Sequence, residues 1–142
     1  MNILSRSTDY AVRALVYMAG KAPEKVSSAD LDRNLRLPRP FMRRILQTLQ
    51  KAGYLISTKG RNGGFLLAMP TNKICLVDLV TVFQGAVTMG DCLFRKKVCA
   101  HVGDCPLRRE IKLIESMVLA HLRGVTVASL IQGGARPSSL EG

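Results

Sequence analysis

Apolar positions recur at helical spacing near the start of the chain, where they predict two short helices. Residues 8–19, with the sequence TDYAVRALVYMA, form one broad apolar stripe, and Ser7 or Thr8 is the expected N-cap. Ser27 is expected to cap a second helix over Ser28–Leu35. Both helices should pack against a common core, and the inward positions predicted for the second are Ala29, Leu31 and Leu35.

A proline-rich turn separates the second helix from a third one. Pro38 and Pro40 prevent the second helix from continuing, and Pro40 is well placed to open the next. The third helix is predicted over Phe41–Ala52. Its apolar positions are Phe41, Ile45, Leu46 and Leu49, and its exposed positions are rich in hydrogen-bond donors, namely Arg43, Arg44, Gln47, Thr48, Gln50 and Lys51.

The order of these elements is that of a helix-turn-helix, so the third helix is the candidate recognition helix. Arginine can bridge guanine edges or phosphate, and glutamine can read adenine, which suits a helix that enters the major groove of DNA. A solvated helix face without a ligand is the alternative interpretation.

Two short strands are predicted after Gly53, with the sequences YLIST and GFLLA. Asn62 and Gly63 are expected to form the hairpin turn between them, because both residues tolerate a positive φ. A basic hairpin that follows a recognition helix is typical of a wing, in which Lys59 and Arg61 could reach the minor groove or the phosphate backbone. An ordinary surface hairpin is the alternative.

The sequence predicts three further helices, which a minimal winged helix does not need. A fourth helix is expected over Leu76–Phe83, a long amphipathic helix over Pro106–Leu122, and a short helix capped by Thr126 that continues through Ile131. The long helix is expected to pack against a second chain, and a role in the internal core is the alternative. Its apolar stripe consists of Leu107, Ile111, Ile114, Val118 and Leu122.

The charge of the chain is concentrated in its N-terminal half. The net charge is +11, and residues 1–61 carry 12 Lys and Arg against four Asp and Glu. Such a field attracts polyanions through phosphate contacts, although charge alone does not separate DNA from RNA, the ribosome or acidic lipid. No apolar stretch approaches the roughly 18 residues of a membrane span. No signal peptide is visible, and the expected location is the cytoplasm.

Three of the four cysteines form a widely spaced triplet. Cys75 lies in the region of the fourth helix, whereas Cys92, Cys99 and Cys105 follow a C-x6-C-x5-C pattern in a polar loop. Structural disulfides are disfavoured in a cytosolic chain, and structural zinc usually draws on closer cysteine pairs. Three thiolates on a loop can hold an iron–sulfur cluster. Zinc bound by the triplet and His101, redox-active thiols and inert thiols are the alternatives.

Five features of the chain occur together: the motifs SRSTDYAVRAL, LPRPFMRRILQTLQKAGYL and STKGRNGGFLLA, the cysteine triplet, and the TVASL that follows a long helix. With these features the chain resembles the Rrf2 family of repressors, which has IscR, NsrR and RirA types. The resemblance covers residues 1–131. It implies a homodimer whose two long helices cross, a pseudo-palindromic operator, and an iron–sulfur cluster that senses nitric oxide, oxygen, redox state or iron supply.

The resemblance also assigns residues. Cys92, Cys99 and Cys105 match the cluster ligands, with 4Fe-4S favoured and 2Fe-2S as the other form. Arg108 stands where IscR-like members supply a histidine, whereas Asp9 aligns with an aspartate that some NsrR-type members donate from the partner subunit. A helix N-terminal acid is the alternative for Asp9. Further fourth-ligand candidates are His101, Asp104, Cys75 and an exogenous ligand. The predicted DNA contacts are Ser28, Arg39, Arg43, Arg44, Gln47, Lys51, Lys59 and Arg61.

The sequence therefore predicts a mainly α fold with a small β-hairpin wing. Residues 1–70 are expected to form the winged helix-turn-helix, residues 71–131 the cluster-binding loop and dimerisation helices, and residues 132–142 a disordered tail. The expected protein is a cluster-controlled transcriptional regulator and not an enzyme, since no catalytic constellation is visible. The alternative is a cluster-free repressor of the same fold that is gated by cysteine oxidation, zinc or a small-molecule effector.

Overall fold

The computed structural model describes residues 3–89 and 104–133. Within these ranges it confirms the predicted architecture of helices with one antiparallel hairpin. The elements in chain order are α1 (Arg6–Lys21), α2 (Ser28–Leu35), α3 (Arg39–Lys51), β1 (Leu55–Thr58), β2 (Gly64–Leu67), a 3-10 turn (Thr71–Lys73), α4 (Leu76–Gln84), α5 (Pro106–Arg123) and α6 (Val127–Gly133). Of the predicted disordered tail, residues 132–142, Gln132 and Gly133 belong to α6, so that boundary is wrong, and residues 134–142 lie outside the described ranges.

Helix α1 begins earlier than predicted, so the expectation of Ser7 or Thr8 as its cap is wrong. Ser5 is the N-cap, and its Oγ accepts a hydrogen bond from the Thr8 backbone N at 3.1 Å. Thr8 is fully buried, and its hydroxyl donates to the Gln84 Oε1 at 3.0 Å. The Ser5 N also donates to this oxygen, at 2.7 Å. One glutamine side chain at the end of α4 therefore holds the first turn of α1.

Helix α2 has the predicted cap and a narrower inward face than predicted. Ser27 and Asp30 form a reciprocal capping box, in which the Ser27 Oγ accepts from the Asp30 N and Asp30 accepts from the Ser27 N. Leu31 is fully buried, whereas Ala29 is exposed, so the prediction of an inward Ala29 is wrong. Ala29 lies two residues, and hence about 200°, from Leu31 around the helix, which turns it away from the core.

The core is built largely on α1 and α3. Helix α3 buries Met42, Ile45, Leu46 and Leu49, of which Met42 was not predicted. The main apolar cluster also contains residues from beyond the hairpin, namely Ile74, Leu79 and Val127. A second, smaller cluster joins α4 to the C-terminal part of α5 and consists of Leu76, Val80, Val87 and Leu122.

The hairpin has the predicted strands and a different turn. Its register pairs Leu55 with Leu67 and Thr58 with Gly64, which leaves a five-residue loop between the strands. The positive φ in this loop is at Gly60, at 111°, and not at Asn62 or Gly63, so the expected positive φ at those two positions is wrong. The Gly63 N donates to the Gly60 carbonyl at 2.9 Å and closes a four-residue β-turn, Gly60 to Gly63, within this loop.

Replacing Gly63 with alanine is expected to distort the wing loop. A Cβ at this position would lie 2.4 Å from the Thr58 carbonyl oxygen and 2.8 Å from that of Gly60, so backbone would have to move. We expect a loss of about 1–3 kcal/mol in the free energy of unfolding and altered amide shifts across the loop. Gly20→Ala is the control, since a Cβ at this position in α1 would have no neighbour within 4 Å. Unchanged NMR shifts and urea midpoint in the Gly63 variant would contradict this expectation.

Candidate nucleic-acid interface and cysteine site

Helix α3 presents a row of unpaired donors. Its four buried side chains fix the rotation of the helix, so the opposite side faces outward. Arg43, Arg44, Gln47 and Lys51 are exposed, and among the described residues none of them makes a side-chain hydrogen bond or ion pair. This arrangement leaves their donors available to an external acceptor.

Two other polar residues of α3 are already engaged within the chain. The Gln50 Nε2 donates to the Ser57 Oγ at 2.8 Å and so connects α3 to strand β1. The Thr48 hydroxyl donates to the Arg44 carbonyl at 3.0 Å. Only part of the donor-rich set recognised in the sequence is therefore free.

The wing carries two further free cations. Lys59 and Arg61 are exposed in the loop, and neither has a partner in the described part of the chain. The hairpin is anchored to the segment before α2, because Val26 and Phe65 exchange backbone hydrogen bonds of 3.0 and 2.8 Å. The wing and the helix-turn-helix thus belong to one packed unit.

Ser28 and Arg39 lie at the starts of the two helices of the motif. Ser28 is half-buried in the first turn of α2. Arg39 is largely exposed, and its Nε lies 3.5 Å from the Asp32 Oδ2. The other oxygen of Asp32 is buried and has no hydrogen-bond partner among the described residues. The ion pair between Asp32 and Arg39 was not predicted from the sequence. A single aspartate in a short helix gives no signal that it contacts an arginine across the turn.

The cysteine site is only partly within the described residues. Cys92 and Cys99 lie outside them, whereas Cys105 is the N-cap of α5 and Cys75 is the N-cap of α4. Both of these thiols are free and half-buried. No group of three potential metal ligands is assembled in residues 3–89 and 104–133.

Asp9 lies in the first turn of α1, where a helix N-terminal acid is expected. Its Oδ2 accepts a hydrogen bond from the Arg13 Nε at 2.9 Å, and its side chain is 45% exposed. The carboxylate is thus accessible at the surface and is held by a neighbour on its own helix.

Glu115 ties the segment that precedes the triplet to the middle of α5. Its Oε2 accepts from the Met89 N at 3.2 Å, and its Oε1 lies 3.1 Å from the Lys112 Nζ. The Met89 N–H, followed by Lys112, lowers the pKa of the Glu115 carboxyl. Cys105 lies ten residues before Glu115, which corresponds to a rise of about 15 Å along the helix. Met89 and Cys105, the described residues on either side of the cysteine segment, are therefore both attached to α5.

The first two-thirds of α5 expose much apolar surface. Residues 106–110 and 112–114 are all exposed, and Ile111 is half-buried. The side chains of Leu107 and Met117 are 68% and 65% exposed, and those of Leu113 and Ile114 are 55% and 47% exposed. In contrast, Leu122 is buried against α4. No described helix has the length and apolar character that crossing a membrane requires.

Together, the third helix with its free donors, the preceding turn and the basic hairpin define a winged helix-turn-helix protein. The family model for Rrf2, described as an iron-dependent transcriptional regulator, matches residues 4–133. The chain therefore belongs to the Rrf2 family of transcriptional regulators.

Individual relatives agree with this assignment. A candidate HTH-type transcriptional regulator of Aquifex aeolicus (strain VF5) is 30% identical over 131 residues, which is 91% of each chain. The structure of CymR, the global cysteine regulator of B. subtilis, has a TM-score of 0.78 at 21% identity and covers 93% of this chain and 98% of its own. T. potens IscR has a TM-score of 0.73 at 19% identity and covers 98% of this chain and 93% of its own.

Proposed function

We propose that the protein is a homodimeric repressor that binds a DNA operator through α3 and the wing, and that an iron–sulfur cluster controls this binding. The observation that carries the proposal is the set of exposed cations and amides without an internal partner on these two elements. Arg13 and Lys112, by contrast, are each paired with an acid on their own helix. The unpaired set comprises Arg43, Arg44, Gln47, Lys51, Lys59 and Arg61.

The roles of these residues follow from their chemistry. Arg43, Arg44 and Gln47 lie in the first two-thirds of α3 and are proposed to reach base edges or phosphates in the major groove. Lys51 at the end of the helix and the two wing cations are proposed to contact the phosphate backbone or the minor groove. Ser28 and Arg39 would flank this surface at the helix starts.

The dimer is proposed to form along the first two-thirds of α5, from Leu107 to Met117. An apolar surface of this extent at the exposed end of a helix is typical of a protein interface. A twofold dimer would present two copies of α3 to half-sites one helical turn apart, about 34 Å, or a multiple of that distance. A small change in the angle between the two copies would then weaken binding.

The three cysteines of the triplet are proposed to hold the cluster. Iron–sulfur clusters are ligated by cysteine thiolates. Cys105, the member of the triplet that the structure describes, has a free thiol. When bound, such a cluster would supply a group that responds to nitric oxide, redox state or iron. Because Met89 and Cys105, on either side of the cysteine segment, are both attached to α5, a rearrangement of the thiol ligands would act directly on the dimerisation helix.

Asp9 of the partner subunit is proposed as the fourth ligand. The proposal rests on the alignment of Asp9 with an aspartate that some NsrR-type family members donate from the partner subunit. The Asp9 side chain is 45% exposed, and the N-terminal part of α5, which Cys105 caps, is exposed as well, so both are accessible to a second chain.

The test begins with anaerobically purified full-length protein. We expect visible absorption near 400 nm with matching iron and sulfide, as thiolate-to-iron charge transfer requires, and loss of both in Cys99→Ala but not in Cys75→Ala. Operator duplexes selected from a random DNA library should then distinguish the cluster-containing protein from Cys99→Ala. Equal affinity of the two proteins would contradict control by the cluster.

Mixed dimers test the ligand from the partner. Asp9→Ala and Cys99→Ala homodimers should each have a labile or absent cluster, whereas a heterodimer of the two should have one complete site. We expect such a heterodimer to retain about half of the iron of the unaltered dimer under conditions in which both homodimers lose it. No recovery of iron in the heterodimer would contradict ligation across subunits.

A cluster-free regulator gated by cysteine oxidation, zinc or an effector is the second candidate. The free, half-buried thiol of Cys75, which lies outside the triplet, favours it. Colourless, iron-free protein from the anaerobic preparation, together with DNA binding that changes on treatment with peroxide or zinc, would support it over the cluster.

A further inference from the structure

Arg36 has a backbone conformation that arginine rarely adopts. It is the C-cap of α2, with φ 52° and ψ 45°, which is the left-handed region. Helices commonly end in this way, but the residue is usually glycine or asparagine, because a Cβ is crowded by the backbone in this conformation. Among the described residues, Arg36 is the only one other than glycine with a positive φ. The conformation therefore requires support from the surrounding structure.

The neighbours of Arg36 provide that support. Leu35 and Leu37 both pack against the main core, so the backbone on either side of Arg36 is held in place. Pro38 then restricts the chain as it enters α3. The exposed side chain of Arg36 consequently extends from a fixed point in the turn between the two helices of the motif.

The charge of Arg36 is not compensated within the described residues, unlike those of the nearest arginines. Arg33 lies 3.9 Å from Asp30, and Arg39 lies 3.5 Å from Asp32. Arg36 makes no side-chain hydrogen bond or ion pair with any described residue. The turn thus holds one free guanidinium between two that are paired with acids.

We infer that Arg36 is a phosphate contact of the DNA-binding surface, set in the turn immediately before the recognition helix. The inference rests on the proposed DNA binding and adds a residue outside the predicted contact set. A guanidinium on a fixed turn can hold one backbone phosphate with little loss of freedom on binding. Such a contact would position α3 without reading the base sequence.

The salt dependence of DNA binding measures this contact. The full-length dimer would be titrated by fluorescence anisotropy onto an arbitrary duplex of about 30 base pairs, which spans two half-sites. Loss of one phosphate contact per subunit should make the negative slope of log K against log salt shallower by about 1.8 per dimer. We expect this change in Arg36→Gly, with affinity lowered roughly tenfold, and recovery of both slope and affinity in Arg36→Lys.

Two comparisons make the test specific. Arg36→Gly should have a melting temperature no lower than that of the unaltered protein, because glycine accepts the left-handed conformation. A weaker DNA affinity in this variant would then not be due to unfolding. Arg33→Ala removes the same charge one turn earlier, where Asp30 lies nearby, and should change the slope by much less.

The outcomes separate this inference from the proposed function. If the unaltered protein has no measurable affinity for DNA, the proposed function fails and the inference fails with it. If the unaltered protein binds and Arg36→Gly binds with the same slope, only the inference fails. Equal losses in Arg36→Gly and Arg33→Ala would attribute the effect to total charge and would also overturn the phosphate contact.

Discussion

A protein in which Leu113 and Met117 are both replaced with aspartate is expected to be monomeric and to bind operator DNA on the order of 100-fold more weakly. The two side chains are 55% and 65% exposed and lie four residues apart on one side of α5. Because neither is buried within the chain, their loss should leave the fold of the monomer intact. The coupling of two half-sites would be lost, since each monomer would bind its half-site alone.

The measurement is sedimentation or light scattering together with an operator titration. Ser116→Asp is the matched control, because Ser116 is exposed on the more polar side of the same helix and its hydroxyl donates only to the Lys112 carbonyl. It should remain dimeric. If the double variant stays dimeric at micromolar concentration, the exposed apolar surface of α5 does not form the interface.

The second large effect concerns the recognition helix. Leu49→Ala is expected to reduce the free energy of unfolding by about 2–5 kcal/mol, because it opens a cavity in a closely packed core. Leu49 is fully buried, and its carbonyl accepts from the Tyr54 N at 3.0 Å where the chain turns into the wing. A loss of this size is a large part of the stability of a small protein.

Gln47→Ala separates stability from DNA binding on the same helix. Gln47 is exposed and unpaired within the described residues, so its removal should change stability by less than about 0.5 kcal/mol. The same change should weaken operator binding. Urea unfolding of both variants would test the pair, and a Leu49→Ala midpoint close to that of the unaltered protein would contradict the assigned core.

The sequence predicted those features that depend on local pattern. The cap at Ser27 and the division of α3 into buried and exposed sides follow from residue type and helical period. Interactions between distant segments were not predictable in this way. The cap of α1 moved to Ser5, where Gln84, almost 80 residues later, holds its first turn.

The wing and the long helix illustrate the same distinction. Asn62-Gly63 is a local turn signal, but the strand register leaves five residues between the strands, and their path requires the positive φ at Gly60 instead. For α5, the apolar stripe could not indicate which positions face the chain itself. Leu122 is internal, whereas Leu107 is exposed, because only the end of the helix is packed against α4.

The place of Val127 in the main core has a consequence for the synthesis of the protein. This residue is almost completely buried with α1 and α3 residues, and its N donates to the Ile74 carbonyl at 3.0 Å. The DNA-reading part of the chain is thus completed by one of its last described segments. During translation, residues 1–70 would leave the ribosome with part of their apolar surface still uncovered, and they would finish folding only after α6 had emerged. The helix-turn-helix and the C-terminal segment that carries α6 consequently depend on each other for a complete core.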